Sequence, residues 1–385
     1  MKKIKVLRII TRLNVGGPTI HTVLLTKFLN TDIFESYLLA GEIEENESDM
    51  SYFADKYEIK PIYLPKMKRE IRPFDDLKSL IKIIKLIRQI KPDVIHTHTA
   101  KAGMLGRTAA LLTNTPYIYH TFHGNVFKGY FGKRKTSLFI QIERFLAKHS
   151  TKIIAISEQQ KKELVEFKIA TPSKIDVIKL GFDFTSLIDN TSNVDTSFRD
   201  KYNVPSEAKL IGIIGRLVPI KNHSLFLEIA ESIAKVNQDV YFAIIGDGEL
   251  REDIEKEIET RGLKDRVFIT GFLKNLKPVY QSLDLVLLTS NNEGTPVALI
   301  EAMVSKKIIM STQVGGVEDF VQNRLNGFYF PAGKSEGFIK EITHWLSHPE
   351  DYSNIGEKAH DTVVDTFSFQ RLVKDIESLY LKSIG

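Results

Sequence analysis

Short β-rich runs alternate with amphipathic stretches along most of this chain, and that alternation limits the folds open to it more than any single motif. In the first half the runs Val6 to Ile10, Tyr37 to Ala40, Asp93 to His98, Tyr117 to Phe122 and Lys152 to Ile156 are separated by helical patterns. The alternation resumes with Leu210 to Ile214, Val240 to Ile245, Val267 to Thr270, Leu283 to Leu288 and Lys307 to Met310. Strands alternating with helices read as βαβ units on a parallel sheet, so two series predict two doubly wound α/β domains. A chain of 385 residues is also more comfortable as two domains than as one. The join is expected near Asp183 to Ser206, where residues 189–196 are polar and weakly periodic and Pro205 precedes the next strand. The expected domains are residues 1–185 and 186–366, with a last helix at about 367–385 packing back on the first. Doubly wound sheets take ligands outside the carboxyl ends of their strands, which predicts a site in a cleft between the two sheets.

Composition narrows the setting. There is no cysteine, which excludes disulfides and thiol metal sites and fits a reducing, cytoplasmic compartment. The basic start Met1-Lys2-Lys3-Ile4-Lys5 leads only to a short apolar run broken by Arg8 and Arg12. No apolar stretch approaches the roughly 18 residues of a spanning helix. The net charge of +5 hides an asymmetry: residues 1–180 carry 31 Lys and Arg against 18 Asp and Glu, net +13, and the remainder carries net −8. Signatures of nucleic-acid binding are missing, so the basic half is expected either to meet a phosphorylated ligand or an anionic membrane surface or to be ordinary solvated surface. Leu77 to Ile90 interleaves Leu and Ile with Lys78, Lys82, Lys85 and Arg88 as a basic amphipathic helix. Arg69, Arg72 and the run Lys133-Arg134-Lys135 extend the charge, so a peripheral position at the cytoplasmic face of a membrane is expected.

The sharpest chemical feature is Glu293-Gly294-Thr295-Pro296-Val297-Ala298-Leu299-Ile300-Glu301, directly after an apolar strand and the polar turn Ser290-Asn291-Asn292. Pro296 suits a first helical position, so the amides around Gly294, Thr295 and Val297 should face outward from a positive helix end, ready for a phosphate. Glu301 lies in an otherwise apolar helix, where a buried carboxylate is costly unless hydroxyls or other donors satisfy it. Gly215-Arg216-Leu217 ends the first strand of the second series, and Lys221 follows five residues after Arg216. The two cations could converge on a diphosphate, the Arg as a planar fork and the Lys as a point charge.

These segments resemble the retaining glycosyltransferases of family four, also called glycosyl transferases group 1, whose GT-B fold sets two Rossmann-like domains facing each other across a cleft. The resemblance rests on Glu293 and Glu301, on Gly215-Arg216-Leu217 with Lys221, on Gly246-Asp247-Gly248 and on Val314-Gly315-Gly316. It implies that Glu293 contacts the hydroxyls of the donor sugar, that Glu301 holds the ribose, and that Arg216 and Lys221 hold the diphosphate. Gly246, Phe272, Gly294, Thr295, Pro296 and Val297 complete the implied donor set. The first domain matches more loosely, through Gly16-Gly17, through His96-Thr97-His98-Thr99-Ala100-Lys101-Ala102-Gly103 and through Thr121-Phe122-His123-Gly124. There the resemblance makes His123 the active-site histidine beside the donor sugar and Gly17 a close backbone approach to the phosphates. His98 and Lys101 become cleft residues on the acceptor side.

The stretch His123 to Phe131, together with His96 to Gly103, is similar to bacterial surface-polysaccharide enzymes with lipid-linked acceptors. The resemblance therefore implies transfer of a hexose or N-acetylhexosamine from a nucleotide diphosphate sugar, best assigned as a uridine diphosphate sugar, to a glycan or lipid-linked acceptor. Retention of configuration is implied, with no metal and no other cofactor. Two other functions compete. A nucleotide-sugar epimerase on the same fold would share the phosphate site without a second substrate. A metal hydrolase could draw on His96, His98, His120 and His123, since His-x-His can bind zinc. However, the strand period puts His96 and His98 on one face and turns His120 and His123 different ways.

Overall fold

The computed structural model describes the chain except residues 1, 44–48, 69, 125–132 and 189–196, with backbone only for 133–135. Arg69, the polar segment 189–196 and the end of the motif running to Phe131 lie outside the described residues, as do the side chains of Lys133, Arg134 and Lys135. The chain divides into two compact units, Met1–Phe182 with Phe367–Gly385, and Asp183–Thr366.

The first unit is built on β1 (Ile4–Arg12), β2 (Phe34–Gly41), β3 (Ile62–Leu64), β4 (Val94–His98), β5 (Tyr117–Thr121), β6 (Lys152–Ala155) and β7 (Ile175–Val177). All pair in parallel, in the order β3-β2-β1-β4-β5-β6-β7. The second has β8 (Lys209–Ile214), β9 (Val240–Ile245), β10 (Val267–Ile269), β11 (Leu285–Leu288), β12 (Ile308–Thr312) and β13 (Phe328–Phe330), in the order β10-β9-β8-β11-β12-β13. Each sheet reverses its winding beside its first strand, between β1 and β4 and again between β8 and β11. Loops leaving the carboxyl ends at such a reversal diverge and open a crevice. This is the GT-B fold class.

Ten strands coincide with the apolar runs, displaced at their ends by no more than three residues. Leu283, for example, falls outside β11 because it caps the short helix Lys277–Ser282. The other three, β3, β7 and β13, are three residues each, too short to show a period. Both faces of the sheets are covered: Phe226, Ile229 and Ile233 pack with Phe242, Ile244 and Leu287 in the second unit, and Ile83 and Ile87 with Leu7, Ile9 and Ile95 in the first. The last helix, Phe369–Ile384, buries Leu372, Ile376 and Tyr380 against Val6, Phe34 and Ile154. Backbone bonds between Phe182 and both Phe367 and Phe369 anchor its start.

The basic helix starts a turn earlier than Leu77, spanning Pro73–Ile90, with Pro73 at its first position and Asp75 and Asp76 in its first turn. It buries Ile83, Ile87 and Ile90. Its outer face carries Phe74, 83% exposed, with Leu77 and Ile81 also exposed. Exposed Lys78, Lys82, Lys85 and Arg88 lie on the same face.

Candidate active site

At the carboxyl edge of the second sheet, the loops after β8 and β9 are zipped together. Gly215 donates its N–H to the Ile245 carbonyl and Leu217 to that of Asp247, at 2.9 and 3.0 Å. Gly246 sits at φ +146°, and a Cβ there would meet the Gly215 carbonyl oxygen at 1.9 Å, so only glycine permits this approach. The zipper fixes the backbone on both sides of Arg216, whose side chain is exposed and unpaired among the described residues. Asp247 accepts from the Gly248 N–H and pairs with Arg251, a turn-forming role.

The loop after β11 is held just as closely. The Asn291 N–H bonds to the Ile220 carbonyl at 2.8 Å, and the Thr289 hydroxyl bonds to the carbonyls of Lys221 and Asn222 at 3.0 Å each. On this frame the Lys221 ammonium meets Glu293 Oε1 at 2.6 Å, joining two motifs 72 residues apart. Ser290 donates to the same carboxylate oxygen at 2.7 Å. The Glu293-Gly294 turn lies against Gly315 and Gly316. A Cβ on Gly315, at φ +55°, would fall 1.6 Å from the Glu293 carbonyl oxygen, and the Gly316 N–H bonds to the Gly294 carbonyl at 3.1 Å.

The helix that follows begins at Val297, and Pro296 is its N-cap instead of its first residue. The Pro296 carbonyl already accepts from Leu299 and Ile300. Proline is needed there only for its fixed φ, which turns the chain into the helix. The outward amides of the helix start are accordingly those of Val297 and Ala298, with exposed Gly294 and part-buried Thr295 just upstream. One turn further, Glu301 is packed in this apolar helix, and burial pushes its carboxyl up to about 7 against the opposing hydrogen bond donated by Tyr280. The Tyr280 hydroxyl lies 2.9 Å from Glu301 Oε2 and 3.1 Å from the Ala298 carbonyl. Phe272, on the loop after β10, is 53% exposed, an aromatic face open to stacking.

In the first unit, Gly17 opens the helix Gly17–Phe28, and a Cβ there would meet Leu180 at 3.1 Å. His98 ends β4 and His123 follows β5; His98 Nδ1 and His123 Nε2 share a hydrogen bond of 3.0 Å. Burial holds both rings neutral, His98 well below the usual histidine range and His123 down to about 3. Lys101 is buried and committed: its ammonium pairs with Asp76 at 2.7 Å and also donates to the Glu70 carbonyl. It ties the basic helix to the helix Ala100–Leu112. His96 turns to Tyr380 and Thr121, at 2.6 and 2.7 Å, and His120 to Thr97 at 2.8 Å. The four histidines weighed as zinc ligands therefore do not converge.

Three participants carry little signal in sequence. Ser290 belongs to a polar turn and could have been suspected. Tyr280 lies 21 residues before Glu301 in an unremarkable short helix. His21, inside the helix Gly17–Phe28, packs its ring 5.0 Å from that of His123.

Two doubly wound sheets, with glycine-tightened loops and paired cation and carboxylate at the reversal of the second, define a GT-B glycosyltransferase. The family profile described as "Glycosyl transferases group 1" matches residues 194–362, and "Glycosyltransferase Family 4" matches residues 15–186. The chain belongs to this family of glycosyltransferases. Among curated relatives it is similar to the Escherichia coli UDP-Gal:alpha-D-GlcNAc-diphosphoundecaprenol alpha-1,3-galactosyltransferase, 28% identical over 85% of this chain and 84% of the relative. It is also similar to the Staphylococcus aureus capsular polysaccharide biosynthesis glycosyltransferase CapM, 26% identical over 84% and 86%. Among solved structures, Anabaena HepE in complex with UDP superposes with a TM-score of 0.83 at 19% identity, covering 98% of this chain and all of that one.

Proposed function

We propose that this glycosyltransferase moves a hexose or N-acetylhexosamine from a uridine diphosphate sugar to a glycan or lipid-linked acceptor, with retention, during assembly of a bacterial surface polysaccharide. The observation that carries the proposal is the Lys221–Glu293 contact at the winding reversal of the second sheet, between loops that also present Arg216 and the amides of Val297 and Ala298. A diphosphate entering here would take Lys221 from Glu293 and release that carboxylate toward sugar hydroxyls. Arg216, Lys221 and the helix-start amides then stabilise charge on the departing diphosphate as the sugar gains oxocarbenium character. The acceptor oxygen bonds to the anomeric carbon on the face the diphosphate leaves, and the departing phosphate takes the acceptor's proton. Glu301 holds the ribose and Phe272 stacks on the base, and the family resemblance assigns Gly17 to the phosphates and His123 to the donor sugar. Positive charge from the protein serves the leaving group, so a metal ion is not required. The donor and acceptor named for the E. coli relative, and the UDP in HepE, support the substrate classes.

The acceptor is met at an anionic membrane on the cytoplasmic side. In support, the helix Pro73–Ile90 exposes Phe74, Leu77 and Ile81 among four cations, an apolar stripe in a basic border suited to the headgroup region. No helix among the described residues is long and apolar enough to cross a membrane. The test is a thermal-shift screen of nucleoside diphosphates followed by product analysis of uridine diphosphate sugars with and without a lipid-diphosphate acceptor. Stabilisation by UDP and product only with acceptor is expected. A new nucleotide sugar formed from donor alone would instead identify an epimerase.

A further inference from the structure

Three histidines of the first unit converge without any carboxylate among them. His21 comes from the helix Gly17–Phe28, His98 from the end of β4 and His123 from the turn after β5, and their ligating nitrogens lie within 4.8 Å of one another. His21 and His98 are fully buried. Among the described residues neither nitrogen of His21 has a hydrogen-bond partner, nor do His98 Nε2 and His123 Nδ1. A buried polar atom left without a partner costs about 1–3 kcal/mol, so His21, with neither ring nitrogen paired, calls for one. Nitrogens bound tetrahedrally to one zinc ion stand about 3.4 Å apart. The His98–His123 pair, at 3.0 Å, is already on that scale. The widest gap would have to close by about 1.4 Å on binding.

We propose that His21, His98 and His123 bind one borderline transition-metal dication, Zn²⁺ in the cell, and that its occupancy switches sugar transfer off. The donor set is all imidazole, with no oxygen ligand in it. Hard cations that need oxygen ligands, such as Mg²⁺, are therefore not held. Among the described residues none of these rings donates its other nitrogen to a carboxylate or carbonyl, the support that strengthens permanent sites, so the ion exchanges with a chelator. The inhibition, unlike the binding, rests on the proposed position of His123 beside the donor sugar, since a metal would fix that ring away from it.

The test uses the full chain, free of any histidine tag and stripped with chelator, titrated with Co²⁺ as a visible-absorption probe of tetrahedral nitrogen sites. One equivalent should give d–d bands that Zn²⁺ abolishes and Mg²⁺ leaves alone. The bands should vanish in His21→Gln and in His98→Asn, each checked for folding by circular dichroism, so that either variant suffices if the other does not fold. They should persist in His348→Asn, which removes the stacked pair His344 and His348. No bands from folded wild type, or bands lost only in His348→Asn, overturns the site. UDP-induced thermal shift is read on the same samples, so UDP binding without cobalt bands removes the metal and leaves the transferase proposal standing. Transfer that persists at full Zn²⁺ occupancy overturns the switch alone.

Discussion

The proposed assignment of Glu301 to the ribose predicts that nucleotide binding is coupled to a proton. The Glu301 carboxyl titrates at about 7 because burial disfavours the charged form more than the Tyr280 hydrogen bond favours it. In the free protein at neutral pH the group is therefore about half protonated. A ribose that donates hydroxyls to Glu301 favours the carboxylate. A hydrogen bond to a charged group is worth about 1.5–3 kcal/mol, which lowers the pKa by roughly 1–2 units. UDP binding at pH 7 should then release about 0.4 proton, and affinity should be about tenfold weaker at pH 5.5 than at pH 8. Isothermal titration in two buffers of different ionisation enthalpy measures the released fraction directly. In Glu301→Gln the fraction should fall, and because the phosphate's own ionisation is common to both proteins, the difference isolates Glu301. The same shift has a stability counterpart. A carboxyl whose folded pKa is raised from 4.5 to about 7 contributes stability that is complete below the unfolded value and is lost as pH rises through 7. The loss is at most about 3 kcal/mol, less because the side chain is only part-buried. Glu301→Gln should accordingly be more stable than wild type at pH 8 and equal to it near pH 4. Identical proton release in the two proteins, or UDP affinity that rises on acidification, would refute the assignment of Glu301 to the ribose.

Arg216→Ala and Lys221→Ala should each lower turnover about 10²-fold or more, with uridine affinity nearly unchanged; loss of uridine binding equal to that of UDP would remove both cations from the diphosphate. Gly315→Ala should abolish the UDP-induced thermal shift, because its Cβ would overlap the Glu293 carbonyl and a left-handed residue with a Cβ costs about 1–2 kcal/mol. Wild-type UDP affinity in that variant would count against the packed turn. Lys101→Met should cost about 3–5 kcal/mol in urea unfolding by leaving Asp76 buried and unpaired, and much of it should return in Lys101→Met/Asp76→Leu. A loss under about 1 kcal/mol would mean the pair is hydrated in solution. Co-sedimentation with anionic vesicles should weaken above physiological salt and fall sharply in Phe74→Asp or in Lys78→Glu/Lys82→Glu/Lys85→Glu, at roughly 1 kcal/mol per engaged cation. Binding that ignores both changes would move the membrane face elsewhere.

Much of the architecture was legible without coordinates because it is local. Short, near-continuous apolar runs separated by helical spacing are written residue by residue, and ten strands and their parallel class follow from that alternation. The loops rich in glycine were legible for the same reason, although why Gly315 and Gly246 must be glycine is visible only in the carbonyl oxygens that a Cβ would strike. Pairings between distant segments are not local. Lys221 and Glu293 stood out separately, but their contact depends on β8 and β11 becoming neighbours in the sheet. The resemblance made Lys101 a cleft residue on the acceptor side, and nothing beside it in sequence announces Asp76; the packing of two helices buries both and spends the charge on structure. Tyr280 and His21 carried no local mark at all, being ordinary residues of ordinary helices. Sequence by itself determined which segments become strands and which side chains are chemically able to act. Only the tertiary structure decided which of those side chains meet, because burial and partner choice are set by chain-distant packing that no local pattern encodes.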